Sequence, residues 1–502
     1  MNINFLKNPY IGLRPFDLED NLIFFGRQEE TQNLLEKLHQ HRFVAVIGSS
    51  GSGKSSLIRA GLIPKLLAGF LVRDRDHWQT ATFRPGSRPL ENLGLGLGQL
   101  RPDKALEIKE TLVHEIRGSG PDTVIPLVRS CLQDAETNLL ILVDQFEELF
   151  RYQIDADKSG EEADLFVASI LSLAKQQSVP AYVVITMRSD FLGDCAAFPD
   201  LSEAINRSVF LVPRMRPLQI REAIEAPLRL FGGSISLRLH ERIAEDLRAY
   251  PFDQLPLLQH ALMRAYEFWS SRNMSKPIDL EEYESIGGLS QSINQHAEWI
   301  LAQFTEPTDM HGAERMFRCL TAREHGRSFR RPSSIRELCA VTEAPVSMVV
   351  RVIEPFRQAF MLVPPPGVPL ADNTIIDITH ESLMRQWFRL VEWIQRESES
   401  AATYRKLCYE ASWWAKDQDA PLRGAALAVA RDWQLAEQPN SAWAQRYETN
   451  NSFETVMRFL EDSFLADRRR SLFDTRRTVW IFRVGLFVVG GLLGVLLMLL
   501  FR

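Results

Sequence analysis

Five apolar runs of strand length punctuate the sequence up to Val212, each bounded by polar or glycine-rich sequence. Phe43–Ile47 (FVAVI), Leu139–Val143 (LLILV) and Tyr182–Thr186 (YVVIT) are continuous apolar stretches, the pattern of strands buried on both faces. His77–Pro85 and Val209–Val212 fit a second and a fifth strand. Between the runs the sequence turns helical, first at Phe24–Leu38. Strands alternating with helices predict an α/β fold with a doubly wound parallel sheet. From Pro217 to about Trp299 the pattern is helical throughout (REAIEAPLRLFGG, HERIAEDLRAY, LPLLQHALMRAYEFW). Near Gly312 a smaller unit begins. It reads as three helices, a strand, a Pro-Pro-Pro-Gly turn and a second strand, the order of a winged-helix domain. Helical sequence then runs to about residue 467, with Trp387, Trp393, Trp413, Trp414, Trp433 and Trp443 along it. The predicted divisions are a lead-in (1–42), an α/β core (43–216), a helical lid domain (217–310), a winged-helix domain (311–382), a helical arm (383–475) and a terminal helix (480–501).

That last stretch differs in kind. Val484–Phe501 is a run without a single charge. At 1.5 Å per residue it covers roughly 27 Å, and Trp480–Phe482 extend it past a hydrocarbon core of roughly 30 Å if Arg483 snorkels. Arg468, Arg469, Arg470, Arg476, Arg477 and Arg483 precede it and only Arg502 follows, an asymmetry that keeps the amino-terminal side in the cytosol. The expectation is a single-pass, C-terminal inner-membrane anchor with the bulk of the protein cytoplasmic. Gly485, Gly490, Gly491 and Gly494 are either a helix–helix face or ordinary membrane-helix glycines.

Composition bounds the rest. A length of 502 residues suggests about three domains. The apolar (45%) and charged (24%) fractions are those of a globular chain, not a disordered one. A net charge of −6 gives no global attraction to nucleic acid or anionic lipid. The five cysteines are scattered without metal-ligand spacing, so reduced core thiols are expected rather than a disulfide framework. The opening MNINFLKNPY holds no apolar run of leader length.

The chemistry lies directly after the first strand. Gly48-Ser49-Ser50-Gly51-Ser52-Gly53-Lys54-Ser55 follows a strand and opens a helix, the context of a phosphate-binding P-loop. Glycines let backbone N–H groups turn inward on phosphates, and the helix N-terminus, continuing through Ser56, adds partial positive charge. Lys54 reaches β- and γ-phosphates, and the Ser55 hydroxyl suits Mg²⁺. ATP or ADP with Mg²⁺ is the expected ligand. Asp144, directly after LLILV, fits the acid that holds the Mg²⁺ shell, unless it only caps the next helix. Glu147 and Glu148 are candidates for the carboxylate that orients or deprotonates water. Arg188, at the carboxyl end of a later strand, either senses the γ-phosphate or is a surface arginine. Arg207, before the fifth strand, either projects onto a neighbouring subunit's nucleotide or forms an ion pair within the chain.

Together these motifs resemble the STAND class of signalling P-loop ATPases, relatives of AAA+ proteins and NACHT domains, and most of all its bacterial branch. The resemblance covers roughly residues 8–470. Gly26, Arg27 and Glu29 match a lead-in segment that packs near adenine. DQFEE is similar to the NACHT pattern of an aspartate followed by acids three and four residues on, with Gln145 where AAA+ proteins carry glutamate. DQLPLLQHAL resembles a lid motif, implying that Pro256 lies against base or ribose; a plain helix-start proline is the alternative. ITHESL resembles the methionine-histidine-aspartate signature, implying that His380 contacts the ADP β-phosphate; a structural histidine is the alternative. The class implies a switch: ADP holds the domains closed, ATP opens them, and the chains form homo-oligomers. Slow hydrolysis resets it, in defence or stress signalling. Relatives often continue past such an apolar segment into a sensor, so a separate sensor or effector protein is a further expected partner. Two rival readings are a membrane-tethered nucleotide-binding scaffold without turnover and a winged-helix DNA-binding regulator. The second rests on Arg351 and Arg357 but is interrupted by Glu354 and Pro355, so nucleic acid is the less favoured partner.

Overall fold

The computed structural model describes residues 8–69, 77–132, 134, 137–151, 159–250, 253–272, 276–324, 326–417, 421–448 and 452–500. The chain divides into two compact units. One holds the residues up to Trp299 together with two later segments, Ala359–Met361 and Thr379–Gln386; the other holds the remainder.

The first unit is built on five parallel strands: β1 (Phe43–Gly48), β2 (Trp78–Phe83), β3 (Asn138–Val143), β4 (Ala181–Arg188) and β5 (Val209–Leu211). Their order across the sheet is β2-β3-β4-β1-β5, and every pairing is parallel. All five expected strands are present, with β4 longer than its apolar run and β2 shorter. The period-two pleat explains why β1, β3 and β4 read as unbroken apolar runs. Phe43, Ala45, Ile47, Leu139, Ile141, Val143, Val183 and Ile185 enter the core on one face. Val44, Val46, Leu140, Leu142, Tyr182 and Val184 enter the core on the other, with Leu34, Leu38, Leu57 and Leu62. Gly48, Val143 and Arg188 end their strands on the same edge of the sheet, so the loops carrying the candidate chemistry meet there. Helices Pro217–Leu230, Leu237–Ala249, Gln254–Arg272 and Gly288–Leu301 fill the expected lid region.

In the second unit helix Pro307–Cys319 leads into a hairpin, β6 (Thr321–Glu324) and β7 (Arg327–Arg330), absent from the sequence-based expectation. A short β8 (Ser333–Ser334), helices Ile335–Thr342 and Val346–Gln358, then β9 (Leu362–Val363) and β10 (Ile375–Ile378) follow. The last three strands form an antiparallel sheet in the order β8-β10-β9. Phe317, Phe356, Trp387 and Trp393 pack together, with ring centroids 4.8 Å apart for Phe317–Phe356 and 4.9 Å for Phe317–Trp387. Helices Phe388–Asp417, Gly424–Glu437 and Ser452–Leu500 complete the unit.

The membrane-anchor expectation is overturned. Among the described residues no helix is long and apolar enough to cross a membrane. Val484–Leu500 is the tail of one 49-residue helix that also carries Arg468, Arg469, Arg470 and Arg483. Arg483 bounds the uncharged run, which at 18 residues is shorter than the roughly 20 a span needs. The inner-membrane placement falls with the span. Residues 1–7 of the lead-in, Phe501 and Arg502 lie outside the described residues.

Candidate nucleotide-binding site

The loop from Gly48 to Gly53 has the backbone its glycines allow. Gly51 and Gly53 take φ of +71° and +87°, left-handed values that other residues adopt only with strain. Lys54 Nζ donates to the Gly48 and Ser49 carbonyls at 3.0 and 2.8 Å. Burial holds its pKa below the usual lysine range, against the opposing pull of Glu147. The buried Ser52 hydroxyl has no hydrogen-bond partner among the described residues. An orphaned donor in a glycine cradle fits a phosphate ligand. Arg27 braces the loop, donating to the Ser52 carbonyl (3.1 Å) and the Pro213 carbonyl (2.9 Å) while pairing with Glu30. Ser56 Oγ accepts from the Phe16 N–H at 3.1 Å, tying the lead-in to the loop's helix.

Asp144 is buried just beyond β3. Its Oδ1 accepts from Ser55 Oγ (2.7 Å) and Thr186 Oγ1 (2.6 Å), and its Oδ2 from Arg59 (3.0 Å). Burial alone would raise its pKa, but Arg59, Arg84 and the two hydroxyls outweigh it and hold the carboxyl below its usual range. An ionised carboxylate within hydrogen-bond reach of a hydroxyl on the P-loop helix is the oxygen-only donor set that suits Mg²⁺.

Glu147 and Glu148 are both buried but aim differently. Glu147 accepts from the Arg188 N–H at 3.3 Å. Its pKa is raised by burial, with Lys54 and Arg151 among the groups opposing the rise. Glu148 instead accepts from the Gly86 N–H at 3.2 Å, beside the end of β2. Glu147 thus lies in the electrostatic field of Lys54, and Glu148 reaches toward Gly86.

Arg188 ends β4 as expected. Its guanidinium lies 2.6 Å from Glu381 and 2.5 Å from Asp190. Burial alone would lower its pKa, but Asp190 and Glu381 keep it firmly protonated. Glu381 also accepts from Ser50 Oγ (3.3 Å), pairs with Arg385 (3.4 Å) and lies 3.7 Å from Arg151. Arg385 forks onto Asp253 at 2.6 and 2.8 Å. Asp253 and Pro256 in turn pack on the loop: a β-carbon on Gly51 would come within 3.1 Å of Asp253 and 3.3 Å of Pro256 Cδ. His380 precedes Glu381, and its Nδ1 accepts from the Ser382 N–H at 3.1 Å and pairs with the Ser382 hydroxyl at 2.7 Å.

Arg207 is not part of this cluster. It ion-pairs with Glu203 on the surface and lines a cleft with Phe43, Lys175 and Asp200, where β1 begins. The length of β1, about 17 Å, separates that end from Gly48. Arg351 and Arg357, the basis of the DNA-binding alternative, are engaged inside their own unit. Arg351 forks onto Asp309, and the buried Arg357 donates to the Pro364, Pro365 and Val368 carbonyls.

Sequence reading missed Arg59, Thr186, Asp253, Glu381 and Arg385 as members of this site. Glu381 adjoins the singled-out His380, and Arg385 follows Glu381 by one helical turn, the two signals that pointed to them.

Comparison with known proteins places the chain. The model of the family described as Novel STAND NTPase 1 matches residues 9–421. Among curated proteins, the aliphatic sulfonates import ATP-binding protein SsuB of Albidiferax ferrireducens is 34% identical over 106 residues, 19% of this chain and 38% of that protein. The protein of the same description from Pseudomonas putida is 38% identical over 101 residues, 18% and 37% respectively. The chain thus spans about two fifths of the length of the curated relatives it matches. Among solved structures, the Aeropyrum pernix ORC1 protein in complex with DNA shows 14% identity and a TM-score of 0.38, covering 74% of this chain and 94% of that one. The Thermotoga maritima RuvB Holliday junction branch migration motor shows 14% identity and a TM-score of 0.30, covering 74% and 97%. Likeness this slight carries no conclusion about this chain.

Proposed function

The chain belongs to the Novel STAND NTPase 1 family, and we propose that it is an ATP-driven signalling switch whose nucleotide state controls domain opening and self-association. The observation that carries this reading is the pairing of Arg188 with Glu381. An arginine at the carboxyl end of the sheet, where a γ-phosphate would lie, is held by a carboxylate from a distant part of the sequence. A γ-phosphate and Glu381 are both anions, so they compete for Arg188. ATP therefore disfavours the paired arrangement in a way that ADP does not. A ligand shifts such an equilibrium only through this kind of differential affinity.

Ser55 and Asp144 would hold Mg²⁺, which supplies charge neutralisation on the phosphate oxygens when bound. Lys54 leaves the Gly48 and Ser49 carbonyls for the β- and γ-phosphates. Glu147 takes a proton from water as the water oxygen bonds to the γ-phosphorus. The bond from that phosphorus to the bridging oxygen breaks and ADP leaves. Turnover is slow and resets the switch. Pro256 lies near base or ribose, His380 meets the ADP β-phosphate, and the 311–382 segment moves as a winged helix. On this reading Arg207 serves a neighbouring copy rather than its own loop, and a separate protein supplies the stimulus.

The test is the mass of the full chain and its phosphate release with ADP, ATP and a non-hydrolysable analogue. ATP-specific assembly that disappears in Lys54→Ala is the expected result. A monomer in every nucleotide state would overturn the switch.

A further inference from the structure

Arg59 belongs to none of the motifs that led to the site, yet it is a cation hydrogen-bonded to the carboxylate that would hold the metal. It stands on a wider, π-helical turn, Leu57–Leu62, inserted in the P-loop helix, a kind of turn often found at functional sites. One amino group donates to Asp144 Oδ2 at 3.0 Å and the other to Asp17 Oδ2 at 3.3 Å in the lead-in. Its Nε is buried without a partner among the described residues, so the guanidinium is not fully satisfied where it stands. Asp144 is almost inaccessible, whereas the Asp17 side chain is 58% exposed. The same cation therefore bridges one buried and one solvated carboxylate.

From this geometry we infer that Arg59 is a positioning residue that sets the Mg²⁺ requirement of nucleotide binding, with Asp17 drawing it away from Asp144. The inference rests on the nucleotide-switch reading above. A guanidinium and a divalent cation repel each other and compete for one carboxylate. Arg59 keeps Asp144 aimed at Ser55 before the metal arrives, at the cost of weaker metal binding. Asp17 lowers that cost by sharing the guanidinium.

The experiment titrates Mg²⁺ against binding of a fluorescent, non-hydrolysable ATP analogue to the full chain. Arg59→Gln is expected to lower the half-saturating Mg²⁺ concentration roughly tenfold, Arg59→Lys to leave it near wild type, and Asp17→Asn to raise it several-fold. A merely structural arginine predicts the reverse for Arg59→Gln, weaker binding at every Mg²⁺ concentration. An unchanged or raised midpoint in Arg59→Gln overturns the inference. If Arg59→Gln does not fold, as shown by its melting in chelator, a lowered or unchanged midpoint in Asp17→Asn overturns it instead. Failure of the wild type to bind the analogue at any Mg²⁺ concentration would count against the nucleotide reading itself, not against Arg59.

Discussion

Each unit of the molecule holds a cluster of arginines and carboxylates, and the two clusters are built to different ends. In the second unit Arg318 pairs with Glu397 at 2.7 Å and with Glu437, while Glu397 also accepts from Trp443 Nε1 (2.8 Å) and Tyr447 OH (2.5 Å). The named groups of this network have partners, and they lock helices Pro307–Cys319, Phe388–Asp417 and Gly424–Glu437 to one another. In the first unit Glu381 faces Arg188, Arg151 and Arg385, beside a Ser52 hydroxyl unpartnered among the described residues and a lysine folded back on its own loop. A closed network fixes a structure; one that leaves a hydroxyl unpartnered and a lysine on neutral carbonyls has donors to offer a ligand.

The largest effect should fall on the open cluster. Lys54→Ala should weaken ATP binding at least about a hundredfold, measured by equilibrium titration, with little change in melting, because its present partners are two loop carbonyls. A large loss of melting temperature with binding intact would reverse the distinction between the clusters.

The closed cluster should show the opposite. Arg318→Ala leaves Glu397, 4% exposed, without its ion-pair partner and should cost about 3 kcal/mol in denaturant unfolding. Arg188→Ala should cost under about 1 kcal/mol, because Glu381 retains Arg151 and Arg385. It should instead erase the preference for ATP over ADP. Equal stability losses in the two variants would show both clusters to be structural.

What the sequence made legible divides along the same line. The P-loop, Asp144 and Arg188 announce themselves through local pattern: an apolar run, then glycines or a charge at its end. The cage around Glu381 joins residues from Ser50 to Arg385, and no local periodicity encodes a contact between positions so far apart in the chain. The five strands were legible because both faces of the sheet are buried. The hairpin β6–β7 was not, because its short strands carry polar and charged side chains such as Arg323, Arg327 and Arg330. The terminal apolar run was read as a span, yet among the described residues no helix is long and apolar enough to cross a membrane.

A pH effect separates the units further. His260 and His296 face each other in the first unit with ring centroids 5.3 Å apart and Arg264 nearby. Burial, reinforced by Arg264, pushes His260 down to about 3, and burial with His260 and Arg264 pushes His296 well below its ordinary value. Depressed histidines are neutral when folded and take up protons when unfolded. Stability is therefore full above about pH 6.5 and is lost as pH falls below it. His260 alone should remove about 2 kcal/mol between about pH 7 and pH 5, read by denaturant unfolding. His260→Phe should flatten that slope whatever its effect on the baseline. An unaltered slope would take the pair out of the comparison.

The smallest effect on the isolated chain should come from Arg207. Its ion-pair partner, Glu203, is nearly as exposed as itself, with side-chain exposures of 62% and 69%. Exposed pairs spaced by one helical turn contribute at most a few tenths of a kcal/mol. Arg207→Ala should leave both melting and monomer nucleotide affinity unchanged. Because this side chain lies at the far end of β1 from Gly48, any loss of turnover in the variant must come through a second copy. Mixing Arg207→Ala with Lys54→Ala makes that distinction measurable. If the arginine acts across a contact between chains, some mixed pairs place an intact Lys54 loop against an intact Arg207, and phosphate release rises above that of either variant alone. Release that stays at the sum of the two would return Arg207 to a surface ion pair.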